Sequence, residues 1–245
     1  MKNVVIVGAT SAMAEEVAKI YATKGANLFL MARDSEKLAT IEQDLSVRGA
    51  KSVTSKTFNA TDLSSHEALV NDAFESLKQV DVFLIAHGSL PNQADCEKSA
   101  EVALEQININ GTSVINMLTH VGNKMEQQKS GNITVISSVA GDRGRQSNYV
   151  YGTAKAMVST FLQGLAQRLF KVGVHVLDIK PGFVDTPMTK EFDKGALWAQ
   201  PQTMGEIIVK RIESKSNFAY APFFWFGIMT IIKTIPKFVF NRIKL

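Results

Sequence analysis

Short runs of Val, Ile, Leu and Phe alternate with longer stretches of helical period, and this constrains the fold more than any other feature of the chain. The runs lie at 4–7, 28–31, 53–58, 82–86, 133–137 and 174–179, and helical spacing fills 12–24, 35–48, 64–79, 99–127 and 150–172. The runs read as continuously apolar, as parallel strands covered on both faces do, whereas a half-exposed strand alternates apolar with polar. Gly25, Gly49 and Gly173 stand just past three of the helical stretches, where a left-handed cap favours glycine. Asp34 or Ser35, and Ser64 or Ser65, are suited to start helices. Such a β-α repeat predicts an α/β fold in three layers, a doubly wound parallel sheet with right-handed crossovers.

Composition agrees with one sizeable domain. The chain has 245 residues, 45% hydrophobic and 20% charged, with a mean hydropathy of +0.02, which argues against disorder and against a multi-span membrane protein. The reading places one domain over 1–221 and an apolar, basic tail over 222–245. Cys96 is the only cysteine, so no internal disulfide is expected and a reducing cytoplasm is the expected compartment. The opening MKNVVIVGAT runs straight into a strand without a leader pattern, which leads to the same expectation. His66, His120 and His175 are scattered without ligand spacing, and no metal site is expected. The net charge of +4 is local: all 23 acidic residues fall at or before Glu213, while Lys215, Lys233, Lys237, Arg242 and Lys244 follow it. No nucleic-acid partner is expected from a main body so close to neutral.

The first strand leads into Gly8-Ala9-Thr10-Ser11-Ala12-Met13-Ala14 and a helix. Small residues in a βα turn let the backbone approach a pyrophosphate, whose charge suits the free N–H groups at the helix start. A tight turn that merely packs helix on sheet fits the same letters. At the end of the second strand, Arg33 suits the 2′-phosphate of NADP(H), with help from Ser11, where an acidic residue would select NAD(H). Asp34 is read as the cap of the next helix.

Ser138 ends the fifth strand, Tyr151 follows it by thirteen residues, and Lys155 lies one helical turn further on the same helix face. Together with Gly8 to Ala14, Asn108 in Ile-Asn-Ile-Asn-Gly, Tyr151-Gly-Thr-Ala-Lys155 and Pro181-Gly182-Phe183-Val184-Asp185-Thr186, they resemble the short-chain dehydrogenase/reductase family over roughly residues 1–215. The resemblance implies a Rossmann fold and hydride transfer between a nicotinamide and a carbonyl carbon. It implies Asn108, Ser138, Tyr151 and Lys155 as the catalytic set: Tyr151 as the proton donor, Ser138 on the substrate carbonyl, Lys155 on the ribose hydroxyls, and Asn108 on a relay water. A cation near Tyr151 is expected to lower its pKa. Pro181, Gly182, Val184 and Thr186 would border the nicotinamide, and Asn59 and Ala60 the adenine. Two departures from the family pattern stand out: Ile85-Ala86-His87-Gly88 replaces the usual Asn-Asn-Ala-Gly, and Asn59 replaces an aspartate. Ala86, His87 and Gly88 would still line the cofactor, or His87 would be a pocket-wall residue. Ser137 is a rival for the serine role, but strand alternation turns it to the other face.

Substrate letters are fewer. Arg143 and Arg145 lie between Ser138 and Tyr151, where they would either grip a phosphate or form a solvated turn with a salt bridge to Asp142. The segment 187–200 is placed as a substrate lid with Trp198 and Phe192 on it; an amphipathic surface helix fits as well. The loop between Ser138 and Tyr151, the Gly8-Ala9-Thr10-Ser11 turn, Ala86-His87-Gly88 and the stretch from Lys180 to Met188 are similar to the branch that holds the NADPH-dependent keto-reductase subunit of the decaprenylphosphoryl-ribose 2′-epimerase. That resemblance implies a lipid-linked keto sugar as substrate. The rival readings are a soluble reductase of 3-oxoacyl thioesters or small ketones, with the tail used for oligomerisation, and a non-catalytic NADP(H)-binding regulator; a homo-oligomer is expected in either case.

From Ser216 to Ile232 no residue is charged, and Pro222 breaks the run short of the ~20 apolar residues a spanning helix needs. Phe218 to Ala221 is read as the last strand. The rest mixes aromatics with Lys233, Lys237, Arg242 and Lys244, the recipe for a helix lying peripherally on the inner face of an anionic membrane. An arm that caps the substrate pocket or packs on a partner subunit is the alternative.

Overall fold

Strands apolar on both faces need cover on both faces, and here each layer supplies it. The computed structural model describes residues 1–243. Strands β1 (Asn3–Val7), β2 (Asn27–Ala32), β3 (Ser52–Thr57), β4 (Val82–Ile85), β5 (Asn132–Ile136), β6 (His175–Pro181) and β7 (Phe218–Ala221) form one sheet in the order β3-β2-β1-β4-β5-β6-β7. Every neighbouring pair is parallel. The order reverses between β1 and β4, and the crevice outside their carboxyl ends is where such sheets take ligands.

Helices α1 (Ala12–Thr23) and α2 (Ser35–Val47) cover one face, burying Val17, Tyr21, Leu38 and Leu45. Helix α3 (His66–Leu77) covers the other and buries Val70. Each fully buried Leu or Val side chain contributes about 1.5–3 kcal/mol, so the two faces carry most of the stability. Gly25, Gly49 and Gly173 have φ of 69°, 104° and 78°, the left-handed conformation expected of glycines that end helices.

The stretch 99–127, expected as one helix, is in fact two. A short α4 (Gln93–Lys98) precedes α5 (Ala100–Ile107), and a π turn over Asn108–Thr112 joins α5 to α6 (Ser113–Gln128). Helix α7 (Tyr149–Phe170) packs beside α6 on the same face. Helix α8 (Pro201–Glu213) has no counterpart in the sequence reading; it joins the α1 face, where Gly205 lies so close to Glu16 that an added Cβ would meet its side chain at 2.7 Å. The edge strand β3 has Val53 as its only apolar residue and is mostly exposed instead of being apolar throughout, which suits an edge that must not pair further. Segment 187–200 is not helical beyond a turn at Pro187–Thr189.

The tail folds back on the domain. Helices α9 (Trp225–Thr234) and α10 (Lys237–Phe240) form an arm whose Trp225, Met229 and Ile232 are buried against Val139 and Tyr220. Among the described residues no helix is long and apolar enough to cross a membrane. Lys244 lies outside the described residues.

Candidate active site

The turn after β1 is built for close approach. Gly8 has φ 79°, and an added Cβ would meet the His87 backbone nitrogen at 2.5 Å, so only glycine fits. The Gly8 and Ala9 N–H groups bond Met31 O at 2.7 and 3.1 Å. The Ser11 side chain does not cap α1, which leaves the N–H groups of its first turn, at Ala12, Met13 and Ala14, for an anion. Arg33 is exposed at the end of β2, while Asp34 caps α2 by accepting from Lys37 N at 3.0 Å. Lys37 was missed from sequence: its Nζ donates to Thr10 O at 3.2 Å, adding a second cation to the turn. These residues fit a phosphorylated dinucleotide.

On the far side of the crevice, the chain leaves β5 through Ser137 and Ser138, which diverge as the pleat dictates. Ser137 Oγ bonds Asp178 and the Ile179 carbonyl. Ser138 caps a short turn by accepting from Ala140 N at 3.1 Å. Two glycines bring α7 against this turn: a Cβ on Gly152 would meet Ala140 O at 2.7 Å, and one on Gly141 would meet Ala156 N at 2.8 Å. This approach places Tyr151 within hydrogen-bond reach of Ser138, and Lys155 Nζ lies 5.6 Å from the centre of the Tyr151 ring. Lys155 is buried and donates to Ile136 O at 3.2 Å.

The electrostatics run against the sequence expectation. Burial pushes the Tyr151 phenol up to about 12, with the Ser138 hydrogen bond opposing it. Burial also pulls Lys155 down to about 8, and the Asp178 charge works against that. Burial thus outweighs any help Lys155 gives to the tyrosinate.

A second correction concerns the asparagine. Asn108 is exposed and borders a surface cavity of about 740 Å³ with Ala60, Thr61, Leu63 and Leu104. Asn110 is the one that turns inward. It is fully buried, accepts from Ser89 N at 2.9 Å, and donates to Gln106 O at 3.0 Å and Ser89 Oγ at 3.2 Å. A Cβ on Gly88 would meet Asn110 Oδ1 at 2.7 Å and Lys155 Nζ at 3.6 Å, so the two groups converge on one point. The signal was in the helical period: Asn110 lies four residues before Val114, and Val114, Leu118, Val121 and Met125 form the buried stripe of α6. Asn108 lies two residues away, on the opposite side of the helix. Replacing Asn110 by Ala is expected to lower kcat at least about ten-fold and to loosen the Gly88–Ser89 turn, whereas Asn108→Ala should stay within about 0.5 kcal/mol in stability and leave kcat near wild type. Steady-state kinetics and thermal melts of the two variants check this.

His87 is a wall residue that touches the cofactor turn: its Nε2 lies 2.9 Å from Ser113 Oγ and its ring packs on Phe58 at 4.9 Å. Burial, with Lys155 and His66 nearby, pulls it down to about 3, so it is neutral at physiological pH. Ala86 N bonds Val7 O at 2.8 Å. The Asn59 side chain accepts from Thr61 N at 3.1 Å in a local turn. Beyond β6, Val184 bridges to Ala199, and Thr189 Oγ1 accepts from Thr186 N at 3.1 Å, tying the base of the lid.

The arginines part company. Arg143 stacks 3.7 Å over the Phe240 ring and donates to the Ile232 carbonyl, so it clamps the C-terminal arm instead of waiting for a substrate. The direct partners of Asp142 are not the arginines: it holds Lys180 at 2.5 Å and accepts from Tyr220 Oη at 2.5 Å, and acts on Arg145 only through its charge. Arg145 is half-buried, and its Nε has no hydrogen-bond partner among the described residues. Trp198 stacks on Phe183 at 5.3 Å, and Phe183 meets Trp225 edge-on at 5.2 Å, so lid and arm form one aromatic wall. A Cβ on Gly182 would strike the Trp225 indole at 1.8 Å.

With this geometry in view, a family model described as short chain dehydrogenase matches residues 2–196. An uncharacterized oxidoreductase of Mycobacterium tuberculosis is 32% identical over 239 residues, covering 98% of this chain and 96% of that one. An uncharacterized oxidoreductase of Streptomyces coelicolor is 29% identical over 243 residues, covering 99% and 96%. Among solved structures, a variant of the actinorhodin polyketide ketoreductase with NADPH superimposes with a TM-score of 0.79 at 25% identity, covering 89% of this chain and 94% of that one.

Proposed function

Because the chain belongs to the short-chain dehydrogenase family of NAD(P)-dependent oxidoreductases, we propose that it reduces a ketone to a secondary alcohol with NADPH, and that the ketone is carried on an anionic amphiphile such as a lipid-linked keto sugar. The observation that carries the reaction is the convergence of Ser138, Tyr151, Lys155 and Asn110 at the carboxyl edge of β4 and β5.

A bound nicotinamide supplies the hydride for the carbonyl carbon. Ser138 and Tyr151 hold the carbonyl oxygen, and the Tyr151 Oη proton passes to it as charge develops there. Lys155 lies close enough to stabilise the resulting tyrosinate, and Asn110 holds the turn beside it. A phenol held near 12 is protonated at neutral pH and so can act as the general acid in reduction.

The cofactor preference rests on Arg33 and Lys37 beside the Gly8–Ser11 turn. The NADPH in the polyketide ketoreductase structure supports the same choice. A charge-assisted bond to a phosphate contributes about 1.5–3 kcal/mol, so Arg33→Asp with Lys37→Glu should shift the NADPH-to-NADH ratio of kcat/KM by about ten- to a hundred-fold toward NADH. An unchanged ratio would remove the argument.

Substrate class is supported by Arg145, a half-buried guanidinium suited to a phosphate, and by the aromatic wall that Phe183, Trp198 and Trp225 form between lid and arm. NADPH oxidation measured against polyprenyl-phosphate-linked keto sugars, free keto sugars, 3-oxoacyl thioesters and small ketones tests it. Equal or better turnover of thioesters or small ketones would overturn the amphiphile and leave the reductase.

A further inference from the structure

We propose that the outer side of the C-terminal arm is a docking surface for an anionic lipid bilayer. The sequence left open whether the tail lies on a membrane or caps the pocket, and the arm has one face for each. Trp225, Met229 and Ile232 are spent inward. Outward, Phe223, Ile231 and Phe238 are 68%, 66% and 66% exposed. Phe226 stacks on Phe223 at 5.8 Å, and Phe224 and Phe226 are exposed beside it. A connected aromatic surface of this kind marks an interaction site.

Charge selects the occupant. Exposed Lys237 and Arg242 accompany these aromatics, and no Asp or Glu follows Glu213, while the Lys233 ammonium is turned onto Tyr220 Oη. A second copy docking by two-fold symmetry would set the patch against itself and bring the same cations together without a carboxylate on either arm. A layer of anionic headgroups neutralises all of them, with aromatics at headgroup depth and cations on the phosphates. The surface also adjoins the catalytic crevice, because Trp225 sits on Gly182 and meets Phe183. Delivery of an amphiphile from the bilayer rests on the substrate reading above; the docking itself does not.

Flotation of the full chain with phosphatidylcholine vesicles, with and without phosphatidylglycerol, tests the proposal without any substrate. Binding is expected only with phosphatidylglycerol and should weaken with salt. Lys237→Glu with Arg242→Glu, and separately Phe223→Ser with Ile231→Ser and Phe238→Ser, should each weaken it about ten-fold or more. Circular dichroism and NADPH fluorescence establish that the variants are folded. Failure of the folded wild type to float with phosphatidylglycerol overturns the proposal. So does undiminished flotation of either variant, or a serine variant that changes only the oligomeric state on gel filtration.

Discussion

Tyr151→Phe should lower kcat for ketone reduction by about a hundred- to ten-thousand-fold while NADPH binding survives, because the variant keeps the ring and loses only the proton that must reach the carbonyl oxygen. Nothing else placed at the site replaces that proton. Ser138 already accepts from Ala140 N and is too weak an acid, His87 is neutral and turned to Ser113, and Lys155 is held on the Ile136 carbonyl. The pH profile adds a second reading. For the free enzyme, kcat/KM should fall as pH rises through about 8, where Lys155 loses its charge, and not near the usual lysine value of 10.5. The sign follows from burial, which disfavours the ammonium and so brings its deprotonation to lower pH. Undiminished turnover by the phenylalanine variant, measured with stopped-flow NADPH oxidation, would sink the mechanism.

Residues that act through local spacing were legible before the fold was known. The Tyr151–Lys155 pair follows from one helical turn, and the divergence of Ser137 and Ser138 from strand alternation. Gly8 at the close turn follows from the βα pattern. What spacing could not show was partnership across the chain. Arg143 looked free because its partners, Ile232 and Phe240, lie about ninety residues later. Asp142 was read with its arginine neighbours, yet its partners come from β6 and β7. The motif points to Asn108, whereas the buried stripe of α6 continues back to Asn110, and only the folded π turn brings Asn110 against Gly88 and Ser89. Lowering of the Tyr151 pKa was expected from charge alone, and burial is invisible until the fold closes.

Breaking the Asp142–Lys180 pair is expected to destabilise the protein by about 3–5 kcal/mol, since removing one partner of a buried pair strands the other. Their side chains are only 5% and 9% exposed, so solvent screens the pair little. Lys180 also lies 3.9 Å from Asp178, whose carboxyl is pushed up by burial, so Lys180→Met leaves two buried acids without their cation. Asp142→Asn has a different consequence: Tyr220 Oη loses its charged acceptor, and Lys233, which donates to Tyr220 at 3.1 Å, loses the charge behind it. The arm should then loosen from the domain, and with it the Trp225 contact over Gly182. The double change Asp142→Leu with Lys180→Met separates a structural pair from a tuned one. If the pair only fills space, the double variant should recover most of the stability and the activity, as apolar replacements of buried pairs often do. If Lys180 and Asp142 hold the arm in register with the catalytic crevice, stability returns while KM stays raised and kcat changes little. Chemical denaturation and steady-state kinetics on the double variant and its two components, Asp142→Leu and Lys180→Met, read as a double-mutant cycle, decide between these outcomes. A loss below about 1 kcal/mol in both single variants would mean that the pair is solvated and the arm is held by its apolar face alone.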